Sequence, residues 1–485
     1  MEHEPPRLID RRRELALLAE LLQRPGPSLV LVTGRRRVGK TFLLANAWPS
    51  EATFLFTATE TTPDQNRRQL ILDLAAWTGS DLRPEDYPTW RSVSDLLWRV
   101  RERRPLAIVL DEFQYLADGP RGLAEVTSAI NATLERHAVD RPFVLVLSGS
   151  AVSTMEGLAS GGAPLYGRLA MHLRLEPLSA FDAAEFVPGW TLRDKATGYG
   201  ILGGTPAYWA AMDPKEGPAE NVAHLLLARE GTLRLQLDTL LAQERGLRDT
   251  SAYNAIVRAV AGGATTRPRI ADASGLRADT SLLRRLGQLE EIGLLRTVEV
   301  IETPANAPTR YRLADPALRF FHVFVSPYTS LLERSDPHQV YAQVVAPRLD
   351  TFMGLAFEDL VAPTYERLRD PRGLPLVERW SRWEGRDRSG RSLEVDVVAP
   401  LVDKRVMTGA VKYSRTPIGP SVFYDHLAAL QRAADAGLKW AHQAMNDGPL
   451  IFMSATGFTE RFAAAANAYK APVLAWSLQE VYSAV

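Results

Sequence analysis

SLVLVTGRRRVGKTFLL, residues 28–44, changes character twice within a few positions. SLVLVT is apolar and rich in β-branched residues, the composition of a short buried strand. KTFLLANAW, which closes the stretch and runs past it, reads as a helix. Between them lie Gly34 and Gly39, followed at once by Lys40 and Thr41. This is G-x-x-x-x-G-K-[ST], with a strand before it and a helix after it. Glycines at those positions let consecutive backbone N–H groups turn inward around an anion, and the helix that follows points its positive end at the same spot. The spacing predicts a cradle for nucleotide phosphates built from Gly34, Arg35, Arg36, Arg37, Val38 and Gly39, with Phe42 in the first turn of the helix. Lys40 is expected on the β and γ oxygens, and the Thr41 hydroxyl on Mg²⁺.

The following segments supply the rest of such a site. ATFLFTA (52–58) reads as a strand, and helical spacing follows at about 66–78 and 91–104. PLAIVLDEFQYL is an apolar strand ending in two acids; a helix at about 122–137 and the strand FVLVLSGS come next. Apolar strands alternating with helices indicate a parallel α/β sheet. Asp111 at a strand end is placed for the magnesium shell, and Glu112 beside it for polarising an attacking water. Ser148 and Ser150 are candidates for sensing the γ-phosphate. Arg168, in APLYGR, is either a stabiliser of transition-state charge or one half of a surface ion pair.

Composition narrows the classes. A chain of 485 residues exceeds one core and suggests about three domains. Lys+Arg and Asp+Glu both number 57, so no global charge draws the chain to nucleic acid or lipid. The absence of cysteine excludes disulfides and thiolate metal sites and suits a reducing compartment. MEHEPPRLIDRRRELALL lacks the apolar core of a signal peptide, and no apolar run reaches the roughly 18 residues of a membrane helix. A soluble cytoplasmic protein without a membrane partner is expected. Only seven of the 57 basic residues are lysine, and two of them, Lys40 and Lys412, fall in motifs that call for a slim ammonium rather than arginine's planar fork.

Beyond the first sheet, residues 179–245 look mostly helical, a lid on a core spanning 1–178. From 246 to 330 the pattern is three short helices and two strands, the outline of a winged helix. In DTSLLRRLGQLEEIGLL the stripe Leu282, Leu283, Leu286, Leu289, Ile292 is the core side; Arg284 and Arg285 begin the polar side, with Arg267, Arg269 and Arg277 nearby for phosphate contacts. Seven basic residues against five acidic ones between 252 and 300 leave two alternatives, DNA contact and protein docking. Residues 330–350 read as a linker, and 345–485 as a second α/β domain.

LIDRRREL (8–15) resembles the F-x-G-R-x-x-E-L segment of the archaeal-type ATPases, a STAND-branch group of P-loop NTPases related to AAA+ proteins. Arg11, Glu14 and Leu15 keep that pattern, whereas Leu8 and Asp10 depart from it. The resemblance continues through GRRRVGKT, VLDEFQYL, LSGS, PLYGR and GGTPAYW. It implies that ATP is the nucleotide and that residues 8–15, with Arg11, lie near the adenine. It further implies that Asp111 and Glu112 serve magnesium and water, and that Arg168 lies near the nucleotide.

The family's longer members carry a winged helix and then a nuclease-like domain. LEVDVV…TGAVKY resembles the PD-(D/E)xK nuclease core. Asp396 matches its first acid, Lys412 its lysine, and Glu358 the acid common on the preceding helix. Ala410 stands where that core carries Glu, which removes an oxygen ligand from a hard-cation site. Glu394 lies two residues from Asp396, on the same strand face, and is a substitute acid. The expectation is an ATP-hydrolysing switch whose ATP- or ADP-bound state acts on a winged helix and a degenerate nuclease-like domain. The rivals are a magnesium-dependent DNA nuclease under ATP control and an ATP-responsive DNA-binding regulator; a protein partner suits the switch.

Overall fold

A computed structural model describes residues 8–100, 106–136, 142–244, 247, 249–301 and 309–483. The chain divides into two units, Met1–Pro177 with Thr205–Ala207, and Leu178–Gly204 with Tyr208–Val485.

The first unit is built on five parallel strands: β1 (Pro27–Thr33), β2 (Thr53–Thr57), β3 (Leu106–Asp111), β4 (Phe143–Gly149) and β5 (Met171–Arg174), in the order β2-β3-β4-β1-β5. Helices α1 (Arg12–Leu21), α2 (Lys40–Ala45), α3 (Pro63–Thr78), α4 (Trp90–Val100), α5 (Gly119–Arg136) and α6 (Val152–Gly157) complete it. The middles of the central strands are apolar because both faces are covered, and alternate residues serve opposite layers. Leu29, Leu31, Ile108, Leu110, Leu145 and Leu147 belong to one cluster. Val30, Val32, Ala107, Val109, Val144 and Val146 belong to the other. Each buried Val, Leu or Ile among them stabilises the fold by about 1.5–3 kcal/mol relative to exposure. Parallel strands all end on one edge of the sheet. The order places β4 between β1 and β3, so the loops after Thr33, Asp111 and Gly149 leave side by side. In open α/β sheets that carboxyl edge is where ligands bind.

The second unit begins with short helices, among them Leu192–Leu202 and Thr232–Asp238. Three helices follow, Thr250–Ala261, Arg267–Ser274 and Thr280–Glu291. After them come the antiparallel strands β6 (Leu295–Thr297) and β7 (Tyr311–Leu313). The expected strand TVEVIETP is realised only at its start, and residues 302–308 lie outside the described ones. The linker expected at 330–350 is instead helical: Thr329–Leu332, Pro337–Val340, a π-helical turn at Tyr341–Val345, then Ala346–Glu358. Pro337 sits in the first turn of its helix, where a missing N–H leaves no bond unmade, and Pro347 follows directly on the π turn. The π turn blurs the 3.6-residue period. Both features hid the helix in the sequence.

The second sheet has the order β12-β11-β10-β9-β8, with β8 (Ser381–Arg386), β9 (Ser392–Pro400), β10 (Val406–Lys412), β11 (Leu450–Ser454) and β12 (Val473–Trp476). β10, β11 and β12 run parallel, and β8 and β9 form an antiparallel hairpin joined to them. Ser381 pairs with Val398 and Trp383 with Val395, so β9 carries one extra residue beside Arg382. Such a bulge re-aims side chains. Among the described residues, no helix is long and apolar enough to cross a membrane.

Candidate functional site

β1 delivers the chain to Gly34 at φ 152° and Gly39 at φ 95°, and between them Arg37 also takes a left-handed backbone at φ 66°. Gly34 is required twice over. Its φ disfavours an L side chain, and a Cβ there would stand 2.7 Å from the Leu175 carbonyl oxygen and 3.1 Å from Val38 Cγ1. Lys40 is buried and folds back over the loop, its Nζ donating to the carbonyl oxygens of Gly34 at 2.9 Å and Arg35 at 3.1 Å. The loop also has outside braces. Arg36 donates to the Tyr115 hydroxyl at 3.1 Å.

Arg11 is 6% exposed, and its Nη2 donates to the carbonyl oxygens of Glu176 at 2.6 Å and of Val38 at 3.5 Å, while Nη1 pairs with Glu14 at 3.2 Å. Asp10 and Arg11 are both left-handed, φ 56° and 67°, which turns the chain sharply into α1. Arg11 therefore ties the segment before α1 to the glycine loop.

Two strands away, Asp111 is fully buried at the end of β3. Its Oδ2 accepts from Thr41 Oγ1 at 2.5 Å, and its Oδ1 from the Glu112 N–H at 3.0 Å. A hydroxyl and a carboxylate oxygen thus converge at the mouth of the loop. That hard-oxygen donor set suits Mg²⁺, which usually takes only one or two protein ligands alongside water and phosphate oxygens.

Glu112 is only partly buried and sits at φ 50°. Its Oε2 accepts from Ser150 Oγ at 2.8 Å and from Gln114 Nε2; the same Gln114 Nε2 reaches Ser150 Oγ at 3.3 Å. Among the described residues Gln114 Oε1 and Ser148 Oγ are buried without a partner, a cost of about 1–3 kcal/mol for each such group. Of the two serines singled out in LSGS, it is Ser150 that meets Glu112. Gln114 was not singled out in the sequence; the signal present was a polar residue inside the otherwise apolar FQYL.

Arg168 is exposed and pairs with Glu135.

In the second unit the acids singled out near the second sheet are answered by bases. Glu358 Oε2 accepts from Arg312 of β7 at 3.3 Å and from Arg382 of β8 at 3.0 Å. Arg382 is buried and pairs with Glu394 as well. Asp396 accepts from the Val411 N–H at 2.9 Å and from Lys412 Nζ at 3.3 Å. Ala410 belongs to the same buried cluster as Val398, Val406 and Phe423. Glu358 and Glu394 do come together, but around a guanidinium. Among the described residues no group of three or more Asp, Glu, His or Cys side chains is arranged to hold a metal ion. Burial raises the Glu358 carboxyl to about 7, more than Arg312 lowers it, and the charges of Asp396 and Asp359 push in the same direction as burial.

On the helices 267–274 and 280–291, Arg285 is engaged: it donates to Ser281 at 2.8 Å and pairs with Asp249 at 3.4 Å. Arg269, Arg277 and Arg284 are exposed and form no ion pair among the described residues.

Residues 321–419 match the DUF234 family, described as archaea bacterial proteins of unknown function. The match therefore runs from the helices after β7 into the second sheet. An uncharacterised protein of Methanocaldococcus jannaschii is 24% identical over 402 residues, covering 81% of this chain and 84% of its own length. Among solved structures, a Walker-type ATPase of Pyrococcus abyssi is similar with a TM-score of 0.48 and 22% identity, covering 65% of this chain and 96% of its own. The Aeropyrum pernix ORC2 protein, solved in ADPNP–ADP complexes, gives a TM-score of 0.45 at 18% identity, covering 73% of this chain and 96% of its own.

Proposed function

We propose that this chain binds ATP with magnesium at residues 34–41 and hydrolyses it, and that the nucleotide state sets the behaviour of the second unit. The observation that carries this reading is the convergence at one sheet edge of the glycine loop, Lys40, the Thr41–Asp111 pair and Glu112. The loop amides and Lys40 would hold the β- and γ-phosphates, and Thr41 and Asp111 the metal. When bound, magnesium supplies neutralisation of the charge on the transferred phosphoryl group. Glu112 would orient the attacking water and accept its proton, with Ser150 registering the γ-phosphate through its bond to that carboxylate. Phosphoryl transfer needs little beyond such positioning and charge. The chain passes between the two units at 177/178, 204/205 and 207/208, so covalent connections link the nucleotide-bearing unit to the other.

In this reading residues 246–330 act as a winged-helix module and 345–485 as a nuclease-like fold that has lost its metal chemistry. The arginines facing Glu358 and Glu394 support that loss. The test is hydrolysis: wild type should turn over ATP with magnesium. Glu112→Gln should keep nucleotide affinity and lose about a hundredfold or more in kcat, the usual worth of a general base. Turnover at the normal rate in that variant removes Glu112 from the mechanism.

One observation favours a second reading, duplex binding through the phosphate backbone: Arg269, Arg277 and Arg284 are exposed and carry no ion pair among the described residues.

A further inference from the structure

Gln114 lies two residues past Glu112, in the short turn Phe113–Tyr115, and is only 6% exposed. Its amide nitrogen is spent on one place. It donates to Glu112 Oε2 and lies 3.3 Å from Ser150 Oγ, which itself donates to the same Oε2 at 2.8 Å. Among the described residues the amide oxygen has no partner, and it faces Gly149 so closely that a Cβ on that residue would overlap it; Met155 crowds the same position. The glycine of the SGS stretch thus makes room for the Gln114 side chain, since its φ is not in the left-handed range. A glutamine that leaves its carbonyl unsatisfied while its nitrogen serves a carboxylate is held there by that carboxylate. The second oxygen of Glu112 has no protein partner among the described residues. One oxygen is pinned by two donors, and the other stays open.

We propose that Gln114 is a positioning residue for ATP hydrolysis: with Ser150 it pins Glu112 Oε2, so that Oε1 is presented to the attacking water. The water's proton passes to Oε1 as its oxygen bonds to the γ-phosphorus and the bond to the β-phosphate oxygen breaks, giving ADP and phosphate. This rests on the ATPase reading above.

The experiment is steady-state ATP hydrolysis by the full chain, together with nucleotide affinity, for wild type, Gln114→Ala and the volume-matched Gln114→Met. Both variants should lose about tenfold in kcat, a part of what a well-placed base contributes, with KM and nucleotide affinity nearly unchanged. Added to Glu112→Gln, either substitution should lower the residual rate no further, because the carboxylate it serves is gone. A packing defect would persist in that background. Unchanged or raised kcat in Gln114→Met, or a loss that recurs in the Glu112→Gln background, overturns the proposal while leaving the ATPase reading intact. A wild type with no hydrolysis defeats both, and is seen before any variant is made.

Discussion

Thr41 Oγ1 and Asp111 Oδ2 lie 2.5 Å apart, joining the glycine loop to the end of β3 across 70 positions of sequence. Asp111 is fully buried and its other oxygen is taken by the Glu112 N–H, so Thr41 holds the one carboxylate oxygen turned towards the loop. If the chain binds magnesium ATP as proposed, two hard ligands meeting there make the metal dependence of that binding a property of this pair. In Asp111→Asn, ATP affinity with magnesium should fall by about tenfold or more, which is ~1.4 kcal/mol, while affinity in EDTA should match wild type. Titration with and without the metal separates the two. An equal loss in both conditions would assign Asp111 a purely structural role.

Gly34→Ala meets a backbone atom, the Leu175 carbonyl oxygen at 2.7 Å, as well as an unfavourable φ of 152°. Leu175 is itself hydrogen-bonded to Thr33 at 2.8 Å, so the neighbour has little room to yield. A loss of stability of about 1–3 kcal/mol is expected, seen as a lower thermal midpoint, together with the loss of any nucleotide-induced rise in that midpoint.

Glu358 gives a pH dependence of defined sign. Its folded carboxyl is raised from 4.5 to about 7, first by burial. The folded state therefore holds the proton more tightly than the unfolded state. The stability this contributes is fully present below about 4.5 and is lost as pH rises through about 7. Glu358→Gln cannot ionise, so its thermal midpoint relative to wild type should improve steadily across that window. Parallel pH profiles for the two proteins would contradict this.

If duplex DNA binds, the exposed guanidiniums that form no ion pair among the described residues should carry it. Arg284→Ala and Arg269→Ala should each weaken binding across all sequences and reduce the slope of log K against log salt by about one. Arg285→Ala, whose side chain already serves Asp249 and Ser281, should change the slope less. Equal effects at all three positions would mean that the Asp249 pair opens on binding.

Four strands of the first sheet were legible in the sequence because their interiors are apolar runs, and the glycine loop because few residue types tolerate its backbone; the edge strand β5, MHLR, is short and half-exposed and went unread. What escaped was set by pairing. SRWEGR offers no clean alternation, so β8 went unseen, and with it Arg382, the base that stands between Glu358 and Glu394. The acids near the second sheet were therefore weighed as metal ligands without their arginine partners in view. Gln114 was hidden for a similar reason: its importance lies in contacts with Ser150 and Gly149, from a neighbouring strand. Arg285 was grouped with Arg284 by adjacency, yet one is paired and the other forms no ion pair among the described residues.

Isothermal titration of magnesium ATP into the full chain, beside Lys40→Ala, tests the proposed nucleotide site most directly. Wild type should bind about one nucleotide per chain with a Kd in the micromolar range or tighter, about −8 kcal/mol, and Lys40→Ala should show no measurable heat of binding. No binding of adenine or guanine nucleotides by the wild type, or equal binding by the Lys40 variant, would contradict it.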